Sequence, residues 1–314
     1  MEKTLNQACI AGDEQRGQRL DAALAALFPA LGLRGRRRLW KGHSVLVDGI
    51  ARSPAFRLHG GELIRLVPAC LPSAEEKAFA VFSEDPPRLI ARRDALFFFY
   101  KPRCLHTAQL AGASETSLEG LIERIMPDTP GMRLRLLSRL DQGTSGIVPA
   151  AGDEDAARWW RQRERAGEMD KHYLALLEGW MGAEQTARNA LDLTRSRRTR
   201  VLDEEGQVLR HTRIRPLAHF QATYAPELVS GCPDGARFTL ALCRIAQGAR
   251  HQIRAHAAHI GHPLAGDLVY GAQGGTPFLL HHCHIQWPGG QVSCAPPWLA
   301  SLPVPLRDHL RLRL

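Results

Sequence analysis

The chain has 314 residues, 44% hydrophobic and 23% charged, enough for about two domains and a packed core, so disorder over most of its length is excluded. Its 28 glycines follow no period, and its seven cysteines are scattered with none in a C-x-x-C pair, which excludes collagenous and disulfide-scaffold chains and points to a reducing compartment. Forty-one Lys and Arg against 32 Asp and Glu give a net charge of +9, a surplus that favours a polyanionic partner such as nucleic acid or an anionic membrane.

Residues Met1 to Gln7 hold no apolar signal core. The longest uncharged apolar run, Ala22 to Leu33, is too short to span a bilayer and is broken by Pro29. A cytoplasmic protein with no membrane partner is expected. Between Arg16 and Arg52, eight basic residues meet only Asp21 and Asp48, so +6 of the +9 lies there. Leu20, Ala23, Leu24 and Leu27 have helical spacing, ended by Pro29. A second short helix is expected from about Leu33 through Trp40, stopping at Gly42 and carrying Arg34, Arg36, Arg37 and Arg38, with Lys41 at its end. Val45 to Val47 reads as a strand, Asp48-Gly49 as a hairpin turn, and Leu63 to Val67 as another strand after the turn His59-Gly60-Gly61. This compact basic module, with Arg19-Leu20-Asp21, Gly42-x-x-Val45-x-Val47-Asp48-Gly49 and Gly60-Gly61-Glu62, resembles the RNA-binding domain of small-subunit ribosomal protein S-four. The resemblance implies RNA binding by Arg34, Arg36, Arg37, Arg38 and Lys41. The competing reading is a solvated basic helix face.

Pro72 to Pro87, acidic and closed by two prolines, reads as a linker. The organisation is therefore an S-four-like domain over 16–69, a linker over 70–87 and a larger domain over 88–314. In the larger domain, strand-like runs recur at Leu96 to Tyr100, Leu174 to Leu177 and Phe238 to Leu242. Helical patterns lie between them at Leu118 to Met126 and Asp155 to Arg165. Strands and helices mixed without βαβ regularity predict an α+β fold with a mainly antiparallel sheet. Arg195 to Arg213, rich in Arg and poor in apolar residues, reads as an exposed basic excursion.

Three segments carry candidate chemistry. Ser138-Arg139-Leu140-Asp141-Gln142-Gly143-Thr144-Ser145-Gly146 is a polar loop leading into the apolar Ile147-Val148. Arg139 beside Asp141 would hold and orient the carboxylate by charge-assisted hydrogen bonds, and an oriented Asp serves as nucleophile or base. The plainer reading is a carboxylate that braces a loop through Thr144 and Ser145. Lys171-His172-Tyr173-x-Ala175 is a strand with Tyr173 and Ala175 on one face, by itself a half-buried core tyrosine. Gly248 to Pro263 reads as a strand end and then a helix closing at Gly261, with four histidines. His251 and His256 are five apart, not the i, i+4 of a helical metal pair. Neighbours in His281-His282-Cys283-His284 would point to opposite faces of a strand, so no metal site is expected in either segment.

Together these segments resemble the RluA-type family of RNA pseudouridine synthases. Residues 139–146 reproduce all but the first residue of its His-Arg-Leu-Asp-x-x-Thr-Ser-Gly loop. Its Lys-x-Tyr-x-Ala strand lies at 171–175. Its Gly-x-x-His-Gln-Ile-Arg motif lies at Gly248 and His251 to Arg254, continued by Gly261 to Pro263, Gly266-Asp267 and Tyr270-Gly271. Lys101-Pro102 looks like its opening Lys-Pro, and Leu280-His281 like its late Leu-His. The resemblance implies a central antiparallel sheet with a catalytic cleft, and isomerisation of an RNA uridine without cofactor or metal. It also implies roles: Asp141 as nucleophile at the anomeric carbon or the uracil ring, Tyr173 as a platform for uracil with a share in proton transfer, Arg254 as the partner of Asp141, and Arg139 holding the flipped nucleotide. The S-four-like module tilts the expected RNA partner toward rRNA ahead of tRNA, and no obligate protein partner is expected. Ser138 stands where the family has His, Ala249-Arg250 where it usually has Arg-Thr, and Pro149 would interrupt the strand after the loop. Two rivals are weighed: a catalytically retired RNA-binding protein or ribosome assembly factor on the same scaffold, and a metal-dependent hydrolase built on the histidines.

Overall fold

The computed structural model describes residues 8–27, 43–47, 50–52, 54–68, 85–109, 117–127, 131–194, 198–225, 228–229, 232, 235–271 and 278–302. The expected second helix with Arg34, Arg36, Arg37, Arg38 and Lys41, its stop at Gly42, the Asp48-Gly49 turn and most of the linker lie outside the described residues. The chain divides into two compact units, Met1–Lys77 and Ala78–Leu314.

In the first unit, β1 (Ala8–Ile10), α1 (Leu20–Leu27), β2 (His43–Val47), β3 (Ile50–Ala51) and β4 (Leu63–Pro68) follow in order. The strands pair antiparallel as β1-β4-β2-β3, with Val47 opposite Ile50 across the hairpin. Leu20, Ala23 and Leu24 of α1 bury against Val45, Val47, Leu58 and Ile64, the small core that the helical and strand spacing requires. Arg19 gives Asp21 a two-pronged hydrogen bond at 3.0 and 2.8 Å where α1 begins. The buried Glu62 carboxylate accepts the His59 and Gly60 N–H groups and closes that turn.

The second unit is α+β, and its central sheet is mainly antiparallel. It runs through β5 (Arg88–Arg93), β6 (Leu96–Lys101), α2 (Leu118–Ile125), β7 (Arg135–Leu136), β8 (Ser145–Ala151), α3 (Glu154–Arg165), β9 (Asp170–Glu178) and β10 (Gln185–Ala187). Then come β11 (Asn189–Asp192), β12 (Arg200–Glu205), β13 (Thr212–Gln221), β14 (Arg237–Ile245), α4 (Gln252–His259), β15 (Leu280–Trp287) and β16 (Gly290–Ser293). Among the described residues the sheet order is β10-β13-β14-β9-β15-β8-β6-β5, with β16 on β15 and β7 on β8. Among the strands of the described residues only β15 and β8 pair in parallel, at His281 with Ser145 and His282 with Gly146. Ser117 and Asp153 cap α2 and α3, accepting the N–H groups of Gly120 and Ala156. Gly261, at φ +88°, ends α4 in the left-handed conformation.

The strands alternate as period two demands, so both sheet faces are covered. On one face Phe97, Phe99, Val148, Tyr173, Ala175 and Ile245 pack with Leu118 and Ile122 of α2 and Ile253 of α4. On the other, Phe98 and Ile147 pack with Trp160 of α3 and with Trp287, while Leu174 and Leu176 pack with Phe220 and Trp298.

Two expectations fail here. Pro149 does not interrupt β8: it pairs with Phe98, and its carbonyl accepts the Leu137 N–H at 2.9 Å. An extended residue turns its nitrogen and carbonyl to the same side, so the missing N–H faces only the two-residue β7. Nor is 195–213 simply an exposed basic excursion. Residues 200–205 form β12 on β11, and Thr199 and Thr212 are buried. Composition shows the arginines but not that the buried Thr199 hydroxyl donates to the Arg250 carbonyl at 2.8 Å.

Candidate active site

Asp141 sits on the loop between β7 and β8, and hydrogen bonds from Thr107 and Lys101 fix that loop. The Thr107 hydroxyl donates to the Leu140 carbonyl at 2.7 Å and accepts the Leu140 N–H at 3.0 Å. Lys101, fully buried at the end of β6, donates to the carbonyls of Pro102, Leu105 and Gln142. Buried cations survive only with such full hydrogen bonding. Gly146 lets the loop enter β8: a Cβ there would lie 2.3 Å from the His282 carbonyl oxygen, on the strand that pairs with it. At φ +113° the position also favours glycine over any side chain.

Sheet order brings distant segments together. In the register of β9, β15 and β8, Tyr173, His282 and Gly146 form one row, and the loop before Gly146 carries Asp141. α4 follows β14 and turns Arg254 toward the same place. Arg254 Nη1 donates to Asp141 Oδ2 at 3.0 Å, while Nε and Nη2 hold both oxygens of Asp267 at 2.7 and 2.8 Å. Asp267 is fully buried, so Arg254 is a cation clamped between a buried carboxylate below and Asp141 at the cleft. Burial alone would lower the Arg254 pKa, but the hydrogen bonds and charges of Asp267 and Asp141 outweigh it and raise the value.

The cleft has a volume of about 710 Å³, with Asp141, Tyr173, Lys171, His251, Arg254 and Arg139 among its walls. Tyr173 is almost buried, and its ring stacks on His282 with centroids 4.5 Å apart and planes within 12°. Burial first, then the Asp141 charge, pushes the Tyr173 phenol up, so it keeps its proton and can donate but not act as a phenolate base. His282 is lowered to about 3 by burial and is a neutral backing for that ring, its Nδ1 bonded to the Ile147 carbonyl at 2.6 Å. Beside Tyr173 the buried Lys171 ammonium pairs with Glu164 at the end of α3.

Arg139 is exposed at the rim and, among the described residues, makes no ion pair with Asp141. The expectation that this neighbour in sequence orients Asp141 is corrected: Arg254, 113 residues away, does so. The histidines are spoken for singly. His256 bonds to Thr212 and the Asn189 carbonyl, His262 to the Glu178 carbonyl, and His281 to Ser145 and the Cys294 carbonyl. Among the described residues no group of three or more His, Cys, Asp or Glu side chains is set to hold a metal, and no helix is long and apolar enough to cross a membrane. Sequence reasoning passed over Thr107, the Lys171–Glu164 pair and the His282 backing, none of which has a local pattern. Asp267 was visible only as the second residue of Gly266-Asp267.

The cleft thus holds a carboxylate fixed by a guanidinium beside an aromatic wall. A model of the RNA pseudouridylate synthase family matches residues 95–259, more than half the chain. Ribosomal large subunit pseudouridine synthase D of Xylella fastidiosa (strain Temecula1) is 29% identical over 277 residues, spanning 85% of this chain and 77% of that protein. The protein of the same name from Escherichia coli (strain K12) is 28% identical over 280 residues, 88% of this chain and 80% of that one. Among solved structures, human RNA pseudouridylate synthase domain containing 1 shares the fold with a TM-score of 0.54 and 23% identity, over 69% of this chain and 86% of that one.

Proposed function

Because the chain belongs to the RNA pseudouridylate synthase family, and so is an isomerase that converts uridine in RNA to pseudouridine, we propose that its target is a uridine of large-subunit ribosomal RNA and that Asp141 is the nucleophile. The Arg254–Asp141 pair at the cleft, with Tyr173 as the wall beside it, carries this reading. Isomerisation breaks the bond from C1′ to N1, forms one from C1′ to C5 and moves a proton from C5 to N1. Atoms and electrons balance within the substrate, so no cofactor is required.

A stacked uridine cannot reach Asp141, so the target nucleotide is flipped out, with Arg139 at the rim holding it. Asp141 attacks the anomeric carbon or the uracil ring, and Arg254 holds it in place. Tyr173 carries the uracil on its ring edge or face while the base turns, and its protonated hydroxyl is a donor to that base. The choice of ribosomal RNA ahead of tRNA rests on the names of relatives aligned over 85% and 88% of the chain. Residues 16–69 act as an S-four-like RNA-binding domain, with Arg34, Arg36, Arg37, Arg38 and Lys41 on phosphates, tethered by 70–87 to the catalytic domain over 88–314.

Mapping pseudouridines in ribosomal and transfer RNA from cells with and without the protein tests the target. A site lost from large-subunit rRNA supports the reading, and a site lost only from tRNA overturns it. Asp141→Asn, which is isosteric and lacks only the nucleophilic charge, should fail to restore the site while binding RNA as the parent does. Turnover by that variant above background would remove Asp141 from the role.

A further inference from the structure

Arg254 is not the only group that faces Asp141. His251 closes the turn before α4 with φ 53° and ψ 19°, a left-handed conformation that costs a side-chain-bearing residue free energy and recurs at functional sites. This backbone aims the imidazole into the cleft. Nε2 lies 3.8 Å from Asp141 Oδ2, and Nδ1 lies 3.1 Å from the Tyr270 hydroxyl.

The partners of Tyr270 decide where the imidazole proton sits. The Tyr270 oxygen accepts the Thr199 N–H at 2.8 Å. Burial raises the Tyr270 phenol above its ordinary value, so its proton stays on and has His251 Nδ1 as acceptor. The imidazole proton is then on Nε2, facing Asp141. Burial lowers His251 first; Asp141 and Asp267 oppose that, and Arg254 and Arg250 reinforce it, so the ring is neutral near pH 7. Arg254 Nη1 donates to the same Oδ2 at 3.0 Å, and among the described residues Oδ1 receives no hydrogen bond.

We propose that His251 is a positioning residue: fixed by Tyr270 with its proton on Nε2, it converges with Arg254 on Asp141 Oδ2 and leaves Oδ1 as the oxygen presented to the nucleotide. The inference rests on Asp141 being the nucleophile. At 3.8 Å the contact is longer than a hydrogen bond, and it tightens when a nucleotide fills the cleft, as catalytic contacts do on substrate binding. The left-handed turn at His251 is what brings the ring within reach of both Tyr270 and Asp141.

Two substitutions at one position separate this role from a purely structural one. Asn is the side chain that left-handed backbone best tolerates, and its amide reaches only the place of Nδ1. Gln fits that backbone less well, but its amide N–H reaches the place of Nε2. Single-turnover rates are measured at saturating full-length enzyme on total RNA from cells lacking the protein, with pseudouridine read by site-resolved chemical labelling. His251→Asn should slow the reaction about tenfold to a hundredfold, the scale of a misplaced reacting group. His251→Gln should stay within about threefold of the parent. If Asn equals or exceeds Gln, the order that backbone strain alone dictates, the proposal is overturned. Tyr270→Phe should slow the rate by a factor like that of His251→Asn, and the double variant should be no slower than His251→Asn alone. Fully multiplicative effects would overturn the coupling. Asp141→Asn in the same assay keeps the two readings apart. Turnover there removes the nucleophile itself, whereas a dead Asp141→Asn beside His251 variants at parental rate removes only the positioning role.

Discussion

Arg254→Ala separates what the Asp141–Arg254–Asp267 cluster does for folding from what it does for chemistry. The Arg254 side chain is 11% exposed and that of Asp267 is 0% exposed. Without the guanidinium, Asp267 keeps the Val269 N–H at 3.1 Å as its remaining partner among the described residues. Removing one member of a buried pair costs about 3–5 kcal/mol, because the other charge is left uncompensated. For a unit the size of 78–314, at roughly 2–4 °C per kcal/mol, the melting temperature should fall by about 6–20 °C. Arg254→Met combined with Asp267→Asn removes both charges, keeps apolar volume at 254 and leaves an amide to accept from Val269. It should regain most of that stability. Pseudouridine formation should be abolished in both variants, because Asp141 lacks its cation in each. Thermal denaturation followed by circular dichroism, with site-resolved pseudouridine detection on the same preparations, reads the two effects. A single variant that melts within about 2 °C of the parent, or a double variant that recovers nothing, would refute the account of Asp267 as a buried charge held by Arg254.

Tyr173→Phe should keep RNA binding and lose rate, since the ring that stacks on His282 remains while the donor hydroxyl goes; Tyr173→Ala should lose both, and Ala turning over at parental rate in single turnover would defeat the platform role. Burial lowers His281 to about 4 and His282 to about 3, from an ordinary value near 6.5. The unfolded chain therefore takes up protons below pH 6.5 that the folded chain refuses: stability is complete above that pH and falls as the pH drops toward 4. The two histidines together should cost about 4 kcal/mol at pH 5, and a urea midpoint unchanged between pH 7 and pH 5 would contradict this. Replacing Arg36, Arg37 and Arg38 with Ala should weaken RNA binding and reduce the slope of log affinity against log salt by roughly 0.7–0.9 for each phosphate that is no longer neutralised. Parallel salt lines for parent and triple variant would rule out RNA binding by that segment.

The sequence by itself was enough for what neighbours along the chain decide. The helical patterns at Leu118 to Met126 and Asp155 to Arg165 placed α2 and α3 within a residue or so, and alternation put Tyr173 and Ala175 on one face of β9. The mixture of strands and helices without βαβ regularity was enough for an α+β fold, and the spaced motifs singled out Asp141, Tyr173 and Arg254, which the structure brings to one cleft. Local reading did not settle partner choice, and only the family resemblance put Arg254 with Asp141. Arg139 stands two residues from Asp141 and looked like its orienter, yet it faces solvent while Arg254 reaches the carboxylate from 113 residues away. Pro149 looked like a strand breaker and is not, because only the short β7 faces its missing N–H. The arginines of 195–213 hid two buried threonines, one of which holds Tyr270 through its backbone. Periodicity and capping are local, set by side-chain direction and by hydrogen bonds a few residues apart. Ion-pair partners, the His282 backing of Tyr173 and the tolerance for Pro149 depend instead on strand register and on which distant loop closes over which, and those are fixed only when the whole sheet assembles.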